Sequence, residues 1–211
     1  MQKQKERFLK AIIEELVGYP SNYSYPKLSQ FEIEYSGLDN EVMSIYKKLG
    51  GTQYEYPINY TWDIKYPDFC IELDEQLHFN RYRLTTLESE IYSNHKYFSI
   101  DNYKSYCQLY EDKCLASGKY GNKWKSKSSE KFFLNSSPDG IIEGNGSSRW
   151  RQRAFNDFLK DINSIIRNKP IIRIAIYDEY KNETIKSILN REDKYRHYKI
   201  FCVNGKYGIQ V

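Results

Sequence analysis

Histidine is scarce in this 211-residue chain, with His78, His95 and His197 the only three. A His-rich metal centre is therefore excluded. Any divalent ion must be held by carboxylates, which suits hard cations such as Mg²⁺. The four cysteines (Cys70, Cys107, Cys114, Cys202) show neither a Cys-x-x-Cys pair nor zinc-ligand spacing. They read as reduced thiols of a cytoplasmic protein. No apolar run approaches the roughly 18–20 residues of a membrane span, so no membrane partner is expected. The opening MQKQKERFLKAIIEELVGYP mixes acids with its apolar residues and carries no cleavage pattern, unlike a signal peptide. Large net charge is missing too, because 32 basic residues against 28 acidic ones leave only +4.

Aromatic residues are abundant, with 21 Tyr and 10 Phe. Tyrosine buries its ring while keeping its hydroxyl wet, so a core can form at a mean hydropathy of −0.78. Disordered chains are poor in aromatics, and disorder is excluded for most of this one. The length suits a single domain, residues 1–211.

Apolar spacing predicts helices over 2–17, 38–49, 83–93, 101–116 and 149–167. Aromatic and β-branched runs broken by Pro57 and Pro67 predict a meander of strands near 53–56, 59–65 and 68–74. The run IIRIAIY at 171–177 reads as a buried strand, and 198–203 with 207–211 as a hairpin. Residues 118–148, rich in Gly, Ser, Asn and Lys, read as a loop-rich insertion too long for an ordinary connection. Helices around a central strand set make an α/β sandwich.

Chemistry concentrates between Trp62 and Arg83. Residues two apart on a strand share a face, so Glu72 and Asp74 point together while Leu73 packs the other side. With Asp63 on a neighbouring strand, three carboxylates converge. Such a cluster repels itself unless a cation such as Mg²⁺ is present.

The string DFCIELDEQLHF, preceded by Asp63, resembles the hallmark of the PD-(D/E)XK nucleases, in particular the branch near the very-short-patch repair endonucleases. The resemblance spans about 25 residues directly. In those relatives an Asp is followed by a hydrophobic strand ending Glu-x-Asp-Gly-x-x-His. Asp63, Glu72, Asp74 and His78 fall on that pattern, with Glu75 in the place of the Gly. No Lys stands two residues after Glu72, where Asp74 is found. A second register pairs Asp63 and Lys65 with Glu55 as the earlier acid, and leaves the later cluster unused.

The resemblance implies a restriction-endonuclease-like three-layer sandwich, a central mixed β-sheet flanked by helices. It also implies Mg²⁺- or Mn²⁺-dependent cleavage of double-stranded DNA in restriction, defence or repair. Asp63, Glu72 and Asp74 would be metal ligands and His78 a proton donor or phosphate contact, with Glu15 (or Glu14) as a helix acid near the site. Symmetric cutting would require a homodimer.

The basic residues are unevenly placed. From Lys119 to Arg153 there are eight basic residues and three acids, a balance of +5, against 24 basic and 25 acidic residues elsewhere. Lys123, Trp124, Lys125, Lys127, Arg149, Arg151 and Arg153 are therefore expected to meet DNA, with Arg81 and Arg83 as further phosphate contacts. A non-catalytic DNA-binding module and a protein-interaction domain are the alternatives.

Overall fold

The computed structural model describes residues 2–21, 23–93 and 97–190. The hairpin expected over 198–211, together with His95, His197 and Cys202, lies outside the described residues. The protein is a mixed α/β structure.

Helix α1 (Gln2–Val17) buries Phe8, Leu9, Ile12 and Ile13 along one stripe. It ends at Gly18, whose φ of +83° a residue with a Cβ rarely adopts. Two further helices follow, α2 (Gln30–Tyr35) and α3 (Asp39–Lys48). A capping box at Ser29 and Glu32 starts α2, satisfying two backbone donors reciprocally.

The central sheet is small, in the order β1 (Ile64–Lys65), β2 (Cys70–Asp74), β3 (Ile171–Ala175). β1 runs antiparallel to β2, and β2 runs parallel to β3 with Glu72 opposite Arg173. The three-strand meander expected before residue 74 is not formed. Residues 53–63 carry no strand, although Tyr56, Tyr60 and Trp62 are buried. Their aromatic rings fill the core as packed loop rather than as ladder: Trp62 meets Tyr60 and Tyr25 edge-on at 5.5 and 5.1 Å.

After β2 a 3₁₀ turn (Gln76–His78) leads into α4 (Arg81–Leu87). Asn80 joins them. Its side chain accepts from the Tyr82 and Arg83 amides and donates to the Leu77 carbonyl at 3.1 Å. The helix expected over 83–93 stops at Leu87, and a 3₁₀ turn covers Glu90–Tyr92. The helix expected over 101–116 is two helices, α5 (Ile100–Leu109) and α6 (Glu111–Gly118), broken at Tyr110.

The segment expected to be a loop carries α7 (Lys127–Phe132) and is pinned by its own serines. Ser147 donates to the Trp124 carbonyl, and Ser129 and Ser136 both bond the Ser148 hydroxyl at 2.8 Å. Gly146, at φ +58°, lies so close to Tyr82 that a Cβ would stand 2.1 Å from its hydroxyl. Helix α8 (Ser148–Arg167) then crosses back to β3, ending at Asn168 in the left-handed region. A two-stranded ribbon, β4 (Glu179–Tyr180) and β5 (Glu183–Thr184), and α9 (Ile185–Leu189) complete the described chain. No helix among the described residues is long and apolar enough to cross a membrane.

Candidate functional site

The strand alternation places Glu72 and Asp74 on one face of β2, and the parallel register adds Arg173 of β3 to that face. Helix α8 covers it, so α8 buries charged residues as well as its apolar stripe: Asp157, Lys160 and Asp161 are all buried. The outcome is a chain of ionic contacts across the interface between sheet and helix.

At one end stand Asp63 and Glu72. The Asp63 amide donates to Glu72 Oε1 at 3.1 Å, and the Leu73 amide donates to Asp63 Oδ2 at 2.9 Å. Lys160 donates to Glu72 Oε2. Burial raises the Asp63 carboxyl to about 6, with Lys160 and the Leu73 amide working against the rise and Glu6 of α1 adding to it. Burial and repulsion from Asp63 raise Glu72 further, to about 8, although Lys160 and Arg173 oppose this. Burial disfavours the charge on Lys160, but Glu72, Asp157 and Asp63 outweigh it and hold the ammonium protonated. Burial is the larger cause at both acids, and Lys160 offsets it only in part.

Asp74 sits deeper. It receives two bonds from Arg173 Nη1, at 3.0 and 3.1 Å, and one from the Tyr103 hydroxyl at 2.9 Å. His78 Nδ1 lies 3.2 Å from Asp74 and 2.7 Å from Asp157. Both neighbours accept, so Nδ1 carries the proton and Nε2 is the nitrogen left for other partners. Burial alone would raise Asp157, yet His78 and Arg173 hold it well below the usual carboxylate range. Arg173 continues to Asp161 at 2.8 Å, and Asp161 in turn takes Arg83 at 2.8 Å and Tyr92 at 2.6 Å.

Asp74, His78 and Asp157 have the residue types and proximity of a metal site. Asp74 is, however, already neutralised by Arg173, and Asp157 lies 3.8 Å from both Arg173 and Lys160.

A cleft of about 370 Å³ opens beside this network. Asp63, His78, Asp157 and Lys160 line one part of it, and Arg149, Gln152, Arg153 and Asn156 of α8 line another.

The expected site residues are therefore brought together only in part. Asp63 and Glu72 touch, and Asp74 and His78 adjoin them through Arg173 and Asp157. Glu15 is exposed on α1, and Glu14 accepts from Ser21 instead of reaching the acids. The α1 residues that bear on the cluster are Glu6, through Asp63, and Lys5, which pairs with Glu75 at 3.1 Å. Glu55 of the second register opens into a separate groove with Glu34 and Asp39.

Among the expected DNA contacts, Arg149 and Arg153 line the cleft, and Lys123, Lys125 and Lys127 are exposed on the insertion. Arg81 forms a forked pair with Glu111 at the surface. Three expectations are corrected. Trp124 is fully buried, edge-on to Trp150 at 5.2 Å with its Nε1 donating to the Ser137 carbonyl, so its ring is closed to a base. Arg83 is buried on Asp161 and closed to a phosphate. Arg151 is also buried, donating to the Leu49 and Asn145 carbonyls.

Lys160, Asp157, Asp161 and Arg173 escaped the sequence reading. A signal existed for one of them. Arg173 interrupts the apolar run IIRIAIY, and a charge inside a buried strand must be paired.

The fold and site together define an α/β protein with a buried ionic network beneath a cleft lined by both charge signs. The chain belongs to a family of unknown function, DUF7255, whose model matches residues 44–191. That span runs from α3 to just past α9 and holds every residue of the network except Lys5 and Glu6. No curated protein and no solved structure matches the chain.

Proposed function

We propose that this protein is a divalent-metal-dependent phosphodiester hydrolase acting on nucleic acid, with a restriction-endonuclease-like arrangement of sheet and helices. The observation that carries the reading is the adjacency of Asp63, half-buried at the cleft wall, and the buried Glu72, whose carboxylate accepts from the Asp63 amide and from Lys160. An antiparallel strand pair, a covering helix and a parallel third strand accord with that fold.

The donor set fits Mg²⁺ or Mn²⁺. Such ions are commonly held by one or two carboxylates, with waters and substrate phosphate completing the shell. Asp63, at the cleft wall, would supply one and Glu72, buried just behind it, the second; burial is the main cause of their raised pKa values, with repulsion from Asp63 adding to it at Glu72. Asp74, held by Arg173 and Tyr103, supports the site from behind rather than serving as a ligand. When bound, the ion would polarise a phosphoryl oxygen and acidify a water.

The remaining chemistry belongs to side chains. Lys160 keeps Glu72 oriented and offers positive charge to the phosphate. His78, aligned by Asp157 through Nδ1, presents Nε2, which accepts a proton when the ring is neutral and gives one to a leaving oxygen when the ring is the imidazolium. Arg149 and Arg153 give the cleft its cationic wall.

Cleavage of plasmid and single-stranded oligonucleotides in Mg²⁺ or Mn²⁺ against EDTA tests this reading. Asp63→Ala, Glu72→Ala and Lys160→Ala should each lower the rate by at least about 100-fold, the scale of losing a group that acts on charge in the transition state. Metal-dependent cleavage that survives Asp63→Ala and Glu72→Ala would remove the assignment. Salt-sensitive binding without cleavage would favour a DNA-binding module.

A further inference from the structure

The cleft that holds Asp63 also holds two arginines without a carboxylate. Arg149 and Arg153 stand four residues apart on α8, so they share a face one turn apart. Arg149 donates to the Gln152 amide oxygen, a neutral partner. Arg153 Nη1 is buried with no hydrogen-bond partner, and the side-chain oxygen of Asn156 beside it is also buried and unpaired.

The fully buried arginines Arg83 and Arg173 are treated differently. Arg83 has Asp161, and Arg173 has Asp74 and Asp161. Asp157 and, more weakly, Glu75 are the acids that bear on Arg153; Asp157 is already engaged by His78, with Lys160 and Arg173 close by, and Glu75 by Lys5. Burial lowers the pKa of both Arg149 and Arg153, and Arg149 lowers that of Arg153 further by repulsion. Two guanidiniums that repel each other in a cleft, one with a buried unpaired N–H, form a site short of an anion.

We propose that Arg149 and Arg153 form a subsite for the oxygens of a phosphate group, separate from Asp63 on the wall of the same cleft. A guanidinium fork matches two phosphate oxygens, and the tetrahedral oxygens of a phosphate can face two forks at once. Lys27 and Ser128 at the wall add a charge and a hydroxyl. The ligand class is then a phosphate ester carrying a second phosphate beside the reacting one, which means a polynucleotide strand rather than an isolated monoester. That last step rests on the hydrolase reading; the anion subsite does not.

The test uses the full chain in EDTA at constant ionic strength, with thermal unfolding as readout. The probes are inorganic phosphate, a dinucleotide with a single phosphodiester, and acetate as the carboxylate control. At about 100 times its Kd, phosphate should raise Tm by roughly 5–10 °C, and acetate should not.

Arg153→Met keeps the apolar stem and removes the unpaired charge. It should raise Tm in phosphate-free buffer and abolish the phosphate response, a pairing that a purely structural arginine would not produce. Arg149→Gln, at a partly exposed position, should weaken phosphate binding at least tenfold with little change in basal Tm.

A phosphate response no larger than that to acetate overturns the subsite, as does an unchanged response in Arg149→Gln or a lowered basal Tm in Arg153→Met. A response to inorganic phosphate but not to the dinucleotide overturns the polynucleotide assignment and leaves the anion site standing. Phosphate binding in a protein without metal-dependent cleavage removes the hydrolase reading alone. Cleavage without phosphate binding in EDTA removes the subsite alone.

Discussion

Lys160 of α8 binds Glu72 of β2 across 88 residues of sequence, with both side chains buried. The ammonium holds the Glu72 pKa below what burial and Asp63 alone would give, although it stays raised, at about 8. Lys160→Met removes that compensation, and Glu72 escapes an unpaired buried charge by taking up a proton. The stability lost should therefore depend on pH: small at pH 5.5, where Glu72 is protonated in either protein, and about 1–3 kcal/mol at pH 8.5. Urea denaturation of both proteins at the two pH values checks this, and an equal loss at both would contradict it.

This contact also shows what the sequence could and could not disclose. Strand parity placed Glu72 and Asp74 on one face of β2, and they are there. Nothing local to residues 62–83 announces which cation will answer Glu72, because Lys160 arrives through the docking of α8. Periodicity found α8 by its apolar spacing, which carries no sign of what its acids and lysine meet. The helix is buried on several sides, and Asp157, Lys160 and Asp161 all point into protein. Trp124 misled for the opposite reason. It sits in a basic, serine-rich stretch that looks mobile, while the serine hydroxyls cap and cross-link that stretch and fold the indole inward. The β meander failed because aromatic and β-branched residues signal burial, and burial in a packed loop leaves the same trace as burial in a strand.

Proton release should accompany divalent metal binding. Near pH 7 Glu72 holds a proton, and Asp63 holds one as the pH falls towards 6. A dication must displace them. Mn²⁺ affinity should rise with pH between about 6 and 8 and level off above that. Calorimetry in two buffers of different ionisation enthalpy would count the protons, and affinity independent of pH would argue against Asp63 and Glu72 as ligands. Without metal the linkage has the opposite sense. Each acid has a folded pKa above its unfolded one, so the folded state holds the extra proton and stability falls as pH rises through that window. Glu72→Gln should flatten the fall between pH 4.5 and 8.

Arg173 ties three acids together: Asp74 at 3.0 Å, Asp161 at 2.8 Å and Asp157 at 3.8 Å. Its own pKa is well above the usual value because those acids outweigh its burial. Arg173→Met leaves Asp74 with Tyr103 and His78, and leaves Asp161 with Arg83 and Tyr92. The expected cost is about 3–5 kcal/mol, the scale of stranding a buried charge partner. It should shrink in the double variant with Asp161→Asn, since one of the stranded acids is then neutral. A double-mutant cycle by denaturant unfolding measures this coupling, and strict additivity would show the two groups to be independent.

Trp124 and Lys127 stand three residues apart in the insertion, yet they should respond to different measurements. Trp124 is buried against Trp150, so Trp124→Ala opens a large cavity and should cost about 3–5 kcal/mol. Lys127 is exposed at the start of α7, and its substitution should leave stability within about 0.5 kcal/mol of the parent. If the insertion meets a polyanion, Lys127→Ala and Lys123→Ala should each lower the slope of log affinity against log salt by about 1, uniformly across sequences. Trp124→Ala, at temperatures where it remains folded, should keep that slope, because the indole holds the insertion in place without touching the ligand. A changed slope in Trp124→Ala with none in the lysine variants would instead mean that the insertion opens on binding and that the indole itself is the contact.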